Sequence, residues 1–112
     1  MRTETTLFKI LSDSTRLRLA VMLAVQGETC VCDLAAALGE ADFKVSRHLG
    51  IMRAAGMVET RREGTWMYYK LVEPRNVLEG CLQDCFRDCL KSHPLVKKDL
   101  QHFKKGSCGK SS

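Results

Sequence analysis

The chain has 112 residues, of which 45% are hydrophobic and 28% are charged. This balance is that of a globular domain and excludes an intrinsically disordered chain, while the short length favours pairing with a second copy. The net charge is +5, and residues 42–70 hold six basic and three acidic groups (net +3), which suits a polyanionic partner or, as the alternative, a solvated basic surface. No apolar run is long enough to span a membrane and no signal-peptide core is visible, so we expect a cytoplasmic protein without membrane contact.

Four stretches in the first half of the chain show apolar residues at helical spacing. Asp13, Thr29 and Asp42 stand at N-cap positions, and a glycine follows each of the last three stretches. The predicted helices are residues 5–12, with Leu7, Phe8 and Leu11 on one side, then 14–26, 30–38 and 43–55, the last burying Val45, Leu49 and Met52. The third and fourth are joined by the short turn 39–41, which predicts a helix-turn-helix.

Two strand-like runs follow directly. They cover residues 57–62 and 66–71, contain aromatic and β-branched residues, and are linked by Glu63-Gly64-Thr65. A hairpin directly after a helix-turn-helix is a wing. The expected fold class is therefore mainly α with a small β-hairpin (α+β), a winged helix-turn-helix.

The last main helix is expected to begin with Pro74 at its first position. Its apolar stripe is broad enough for a dimer partner and consists of Leu78, Cys81, Leu82, Cys85, Phe86, Cys89 and Leu90. His93-Pro94 interrupts this helix, and residues 95–103 hold another turn or two. We expect one DNA-binding and dimerisation domain over 1–103 and a flexible tail over 104–112.

The fourth helix is the candidate DNA-reading element. Lys44, Arg47 and His48 are expected on its outward face and Ser46 near its start, where side chains meet phosphates and base edges. Arg61 and Arg62, at the expected hairpin tip, are placed to reach the phosphate backbone or the minor groove. A merely solvated helix face and a charged, edge-protecting strand are the alternatives.

Three stretches of this sequence resemble the arsenic-repressor (ArsR/SmtB) family. They are Leu11 to Arg18 (LSDSTRLR), the run Val45 to Leu49 with Met52 to Val58, and Arg61 to Leu71; together they span about residues 7–75. The resemblance implies a homodimer held by the first and last helices, bound as a repressor to a palindromic double-stranded operator and released by an inducer. It implies no enzymatic activity, and no catalytic constellation is visible.

Six cysteines in a chain without an export signal point to metal or redox chemistry rather than to disulfides. Thr29-Cys30-Val31-Cys32-Asp33-Leu34 resembles the thiolate motif of the family's arsenic and cadmium/lead sensors, with Ala35 in place of the third cysteine of the arsenic version. In the first turn of a helix, Cys30 and Cys32 would favour the thiolate, which suits As(III), Sb(III), Cd(II) and Pb(II). A regular helix sets them about 200° apart, so we expect an ion to unwind that turn and move the reading helix.

Further ligands are sought among Cys81, Cys85, Cys89 and Cys108. The first three alternatively only pack at the dimer interface, and Cys108, in a Gly/Ser/Lys tail, is alternatively incidental. The leading function is a repressor of arsenic-resistance genes that responds to As(III) or Sb(III). The alternatives are a repressor responsive to Cd(II), Pb(II) or Zn(II), a persulfide or redox sensor of the same fold, and a DNA binder without a ligand. A thiol oxidoreductase is disfavoured, because one residue rather than two separates Cys30 from Cys32.

Overall fold

The computed structural model describes residues 1–106, which form six helices and three short strands. In chain order they are α1 (Arg2–Leu11), α2 (Ser14–Gln26), β1 (Thr29–Cys30), α3 (Val31–Leu38), α4 (Asp42–Ala54), β2 (Val58–Glu63), β3 (Trp66–Leu71), α5 (Val77–Asp88) and α6 (Pro94–His102). Among these helices none is long and apolar enough to cross a bilayer. The predicted fold class, a winged helix-turn-helix, is confirmed.

The helix-turn-helix is formed by α3 and α4. Gly39 ends α3 in the left-handed conformation (φ 69°), where a side chain would be strained, and the chain turns at once into α4. The expected inward residues of α4 are buried together with apolar residues of α2 and α3, and the side chains that solvent does not reach include Leu19, Met22, Leu34, Val45, Leu49 and Met52. Each such side chain contributes about 1.5–3 kcal/mol of transfer free energy, so this cluster fixes α4 on the domain.

The wing is the antiparallel hairpin β2–β3, closed by Gly64 and Thr65. A third strand that the sequence analysis missed lies beside it, so the strand order is β1-β3-β2. Thr29, expected to cap a helix, instead pairs with Tyr69, and Cys30 pairs with Tyr68. Extended backbone is favoured at β-branched Thr29, and its polar groups find partners in β3 rather than in a helical turn.

Two expectations for the outer helices were wrong. Helix α5 begins at Val77, not at Pro74, because the Asn76 side chain caps it by accepting a hydrogen bond from the Glu79 backbone N–H at 2.9 Å. On α1, Leu7 and Ile10 are buried, whereas Phe8 is 52% exposed. Phe8 on α1, Val77 and Cys81 on α5, and Cys89 at its C-cap therefore lie outside the core of a single chain.

Helix α6 is fastened to the helix-turn-helix by a buried ion pair. The Arg18 guanidinium of α2 contacts both carboxylate oxygens of Asp99, at 2.9 and 2.7 Å, and also donates to the Leu38 carbonyl at 3.0 Å. Beyond α6 the chain turns back to α3, where the Gly106 backbone N–H donates to the Asp33 carboxylate at 2.9 Å. The first residues of the expected tail (104–112) thus contact the domain; residues 107–112, with Cys108, lie outside the described part.

Candidate thiolate site and DNA interface

The sulfurs of Cys30 and Cys32 are 3.7 Å apart. Cys30 is the N-cap of α3 and has extended backbone (φ −81°, ψ 158°), whereas Cys32 is already in the helix. The expected separation of 200° applies only when both residues are helical, so the prediction that one ion must unwind this turn was wrong. The strand pairing of Cys30 with Tyr68 is what holds it extended and brings the two sulfurs together.

The pair has the spacing that a soft ion requires. Two sulfurs at about 2.3 Å from one tetrahedral ion lie roughly 3.8 Å apart, close to the observed separation. The carboxylate of Asp33 completes a group whose three ligand atoms all lie within 4.8 Å of one another. Ala35, 1% exposed, supplies no further donor.

The cysteines of α5 form a different environment. Cys81 and Cys89 are exposed and Cys85 is half-buried. Burial raises the pKa of the Cys85 thiol, and its contact with Cys89 adds to this, so the thiolate is disfavoured there. Within residues 1–106, the group of three potential ligands that the structure does bring together is the one at the start of α3.

An open cleft of about 330 Å³ joins the sulfur pair to the candidate reading helix. Cys30, Val31 and Cys32 line one side, and the start of α4 and the base of the wing line the others with Asp42, Phe43, Ser46, Thr65, Trp66, Met67 and Tyr69. A ligand on the sulfurs therefore lies between the two elements that a winged helix uses on DNA.

Helix α4 presents part of its predicted contact set to solvent. Ser46 and Arg47 are exposed near its start, and half-buried Lys44 forms an ion pair with Glu40 at 2.9 Å. Exposed, polar and basic side chains in the first two turns suit contacts with phosphates and base edges. Phe43 precedes them and is 77% exposed.

His48 was expected on the same outward face, and that expectation was wrong. The side chain is 7% exposed and its Nδ1 lies 3.3 Å from the guanidinium of Arg16, which also donates to the Ile10 carbonyl at 2.8 Å. Burial is the main cause that lowers the pKa of His48 below its ordinary value of 6.5. His48 therefore joins α4 to α2 and to the end of α1. Its spacing from Val45, Leu49 and Met52 is the sequence signal that predicts an inward position.

Arg61 and Arg62 lie within β2 rather than at the hairpin tip, which is formed by Gly64 and Thr65. The Arg61 guanidinium contacts the carboxylates of Glu28, at 2.8 Å, and Glu63, at 3.4 Å, and lies 4.7 Å from the centre of the Tyr68 ring. Arg62 is exposed. The wing thus holds one arginine in contacts with its own chain and presents the next to solvent.

A helix-turn-helix with an exposed basic start, followed by a β-hairpin wing, defines a DNA-binding regulator of the winged-helix class. The profile of the family described as "Bacterial regulatory protein, arsR family" matches residues 13–60. The chain belongs to this family.

Relatives match this chain over 57% to 62% of its length. A regulator described as an uncharacterized HTH-type transcriptional regulator of Methanocaldococcus jannaschii is 41% identical over 69 residues (62% of this chain, 78% of its own length). The arsenical resistance operon repressor of Escherichia coli is 48% identical over 65 residues (58% of this chain, 56% of its own length). A CadC homologue of Staphylococcus aureus, a cadmium resistance regulatory protein, is 41% identical over 64 residues (57% and 53%). The match spans 50% to 62% of the three arsenic-resistance regulators of Escherichia coli and Pseudomonas putida.

Solved structures agree with this fold. The AntR antimony-specific transcriptional repressor is 35% identical, with a TM-score of 0.63 over 71% of this chain and 69% of that chain. The homodimeric winged helix-turn-helix domain of Mb0332 from Mycobacterium bovis is 32% identical with a TM-score of 0.64 over 83% of this chain and 86% of that one. The architecture is thus shared over 69% to 86% of these chains.

Proposed function

We propose that the protein is a homodimeric repressor that binds a palindromic operator and releases it when Cys30 and Cys32 capture As(III) or Sb(III), controlling arsenic-resistance genes in the cytoplasm. The observation that carries the proposal is the sulfur pair, 3.7 Å apart and facing the cleft shared with α4 and the wing. The arsenical and antimony repressors among the relatives support this choice of ligand.

The position of the site supports a route from ligand to DNA. Cys30 belongs to β1, whose partner strand β3 carries the wing, and it caps the helix that precedes α4. A ligand on Cys30 and Cys32 therefore acts on both DNA-contacting elements without unwinding α3. Release follows when the ligand binds more tightly to an arrangement of wing and α4 that does not fit the duplex.

On the DNA side we assign the contacts to Lys44, Ser46 and Arg47 of α4 and to Arg62 of the wing. Arg61 contributes where DNA displaces its acidic partners. His48 serves from the inside, because its buried contact with Arg16 sets the position of α4. The exposed apolar residues of α1 and α5 support a dimer formed by these helices.

A repressor responsive to Cd(II), Pb(II) or Zn(II) is the second candidate. The observation in its favour is the Asp33 carboxylate, which adds an oxygen to the two sulfurs within the same 4.8 Å group. Two thiolates and one carboxylate suit divalent ions of borderline softness, whereas trivalent arsenic prefers sulfur alone. The choice of ion therefore depends on whether a third sulfur reaches the site.

The test is fluorescence anisotropy with reduced protein and a labelled fragment from upstream of its own gene. Arsenite, antimonite, Cd(II), Pb(II) and Zn(II) are added in turn to the parent, to the Cys30→Ser/Cys32→Ser variant and to Cys81→Ser as the matched control. We expect arsenite and antimonite to weaken DNA binding at least about ten-fold in the parent and the control, and to have no effect on the double variant. Release by cadmium alone selects the second candidate, and arsenite release from the double variant refutes the site.

A further inference from the structure

Helix α4 carries two apolar side chains on its outward face. Phe43 is 77% exposed and Ile51 is 38% exposed, and exposed Arg47 lies midway between them in the sequence. Residues four apart are neighbours on one side of a helix, so Phe43, Arg47 and Ile51 form one row. The core of the domain uses other residues of α4, namely Val45, Leu49 and Met52. The row is therefore apolar, basic and apolar in turn, and it faces away from the core.

Gly50 lies beside this row, in the middle of α4. A glycine within a helix costs stability relative to alanine, and Gly50 has no positive φ that would require it. Apart from its chain neighbours and its own helix backbone, no described atom lies within 4 Å of the position that a Cβ would take. Neither the backbone nor the packing of residues 1–106 thus calls for glycine here. Its effect is to leave the surface beside Arg47 open to close approach by another molecule.

We propose that this row enters the major groove of the operator and that Phe43 and Ile51 contact the methyl groups of thymines, an inference that rests on the repressor function proposed above. Thymine presents an apolar group in the major groove, and phenylalanine is among the side chains that contact it. Arg47 at the centre of the row and the net charge of +3 over residues 42–70 favour DNA over an apolar protein surface. Gly50 lets the helix backbone come close to the base edges.

The length of the row predicts the spacing of the thymines. Residues 43 and 51 lie about 12 Å apart along a helix that rises 1.5 Å per residue. Successive base pairs are about 3.4 Å apart, so a helix that follows the groove brings Phe43 and Ile51 to methyl groups roughly three or four base pairs apart. Arg47 then lies over the base pairs between them. Each half of the operator is therefore expected to contain thymines at this spacing, on either strand.

The first test removes the methyl groups from the DNA. A labelled fragment from upstream of the protein's own gene is synthesised with thymine or with uracil, which lacks only the methyl group, and binding is followed by fluorescence anisotropy without arsenite. Burial of one methyl group contributes about four-fold in affinity, and a symmetric dimer makes each contact twice. We expect the parent to prefer the thymine fragment by at least about 16-fold, and Phe43→Ala/Ile51→Ala to bind both fragments about equally.

The preference between the two fragments is a ratio, so a general loss of folding or dimerisation weakens both alike and leaves the ratio unchanged. Val77→Ala is the matched control, because it shortens an 82% exposed apolar side chain on α5, and it should keep the preference of the parent. The proposal is overturned if the parent binds both fragments equally, or if Phe43→Ala/Ile51→Ala keeps the parent's preference. In either case release by arsenite leaves the proposed function standing, whereas a parent that binds neither fragment refutes both.

The second test concerns Gly50. Gly50→Ala should raise Tm by about 4 °C, because alanine favours the helix, and yet lose affinity for the thymine fragment, because its methyl group fills the space beside Arg47. Gly80→Ala is the matched control within α5, where a Cβ would make an ordinary contact with Pro74 at 3.8 Å, and it should bind the fragment as the parent does. An unchanged affinity for Gly50→Ala overturns the close approach of α4 to the bases.

Discussion

The buried pair of Arg18 and Asp99 joins three helices, and its removal is expected to be the most destabilising polar substitution in the domain. The two side chains are 13% and 2% exposed, and both carboxylate oxygens of Asp99 accept from the guanidinium. Asp99→Ala leaves the Arg18 charge buried with the Leu38 carbonyl as its remaining described partner. Breaking such a pair from one side costs about 3–5 kcal/mol, because the desolvated charge is no longer compensated.

We expect Asp99→Ala to lower the free energy of unfolding by that amount, and Tm by roughly 12 °C or more. Urea unfolding followed by circular dichroism measures it, at one fixed protein concentration because a dimer's stability depends on concentration. Asp84→Ala is the matched control, since Asp84 is an exposed acid paired with Arg87 and such pairs contribute about 1 kcal/mol or less.

A second variant separates loss of the pair from a general failure to fold. Arg18→Met/Asp99→Leu replaces both charges with apolar side chains of similar length and is expected to recover most of the lost stability. The reasoning is refuted if Asp99→Ala loses no more stability than Asp84→Ala. It is equally refuted if the double variant is as unstable as Asp99→Ala, because the unpaired charge is then not the cause.

Three further outcomes follow from the site. Burial lowers the pKa of His48, so the folded chain binds fewer protons than the unfolded one. The free energy of unfolding should therefore fall as pH drops below 6.5. His48→Gln should weaken this pH dependence, measured by urea unfolding between about pH 7.5 and 5.5. Arg62→Ala should reduce the slope of log operator affinity against log salt concentration by about one. Arg61→Ala should change that slope less, because the Arg61 guanidinium is already paired with Glu28. Equal slopes for the two variants contradict the assignment. Phe8→Glu should shift the dimer towards monomer in sedimentation velocity without lowering helix content, and an unchanged dimer places the interface elsewhere.

Local patterns were sufficient for the helix-turn-helix and the wing hairpin. Asp13 accepts from the Arg16 N–H at 3.1 Å as an N-cap, and Val45, Leu49 and Met52 are buried as the helical spacing predicts. His48 completes the same stripe, so its spacing predicts the inward position although its polarity favours an outward one. The error shows that a buried polar side chain is compatible with an apolar face when a partner, here Arg16, is present.

The features that sequence reasoning missed depend on contacts between distant residues. Strand β1 has only two residues and exists because β3, some forty residues later, pairs with it. The ion pair of Arg61 with Glu28 and the hydrogen bond of Gly106 to Asp33 are likewise non-local. No spacing rule within one segment reports such pairs, and it is β1 that decides the geometry of the two sulfurs.

This geometry limits how a ligand can release DNA. Because Cys30 and Cys32 already lie 3.7 Å apart, capturing an ion does not require distortion of α3, and the switch must arise from a difference in affinity between two arrangements around the cleft. A hundred-fold loss of operator affinity corresponds to about 2.7 kcal/mol of coupling. The coupling is reciprocal, so operator DNA must weaken arsenite binding by the same factor. Titrating arsenite with and without a saturating operator fragment measures it directly, and equal arsenite affinities would show that the sulfur pair binds its ligand without acting on α4 or the wing.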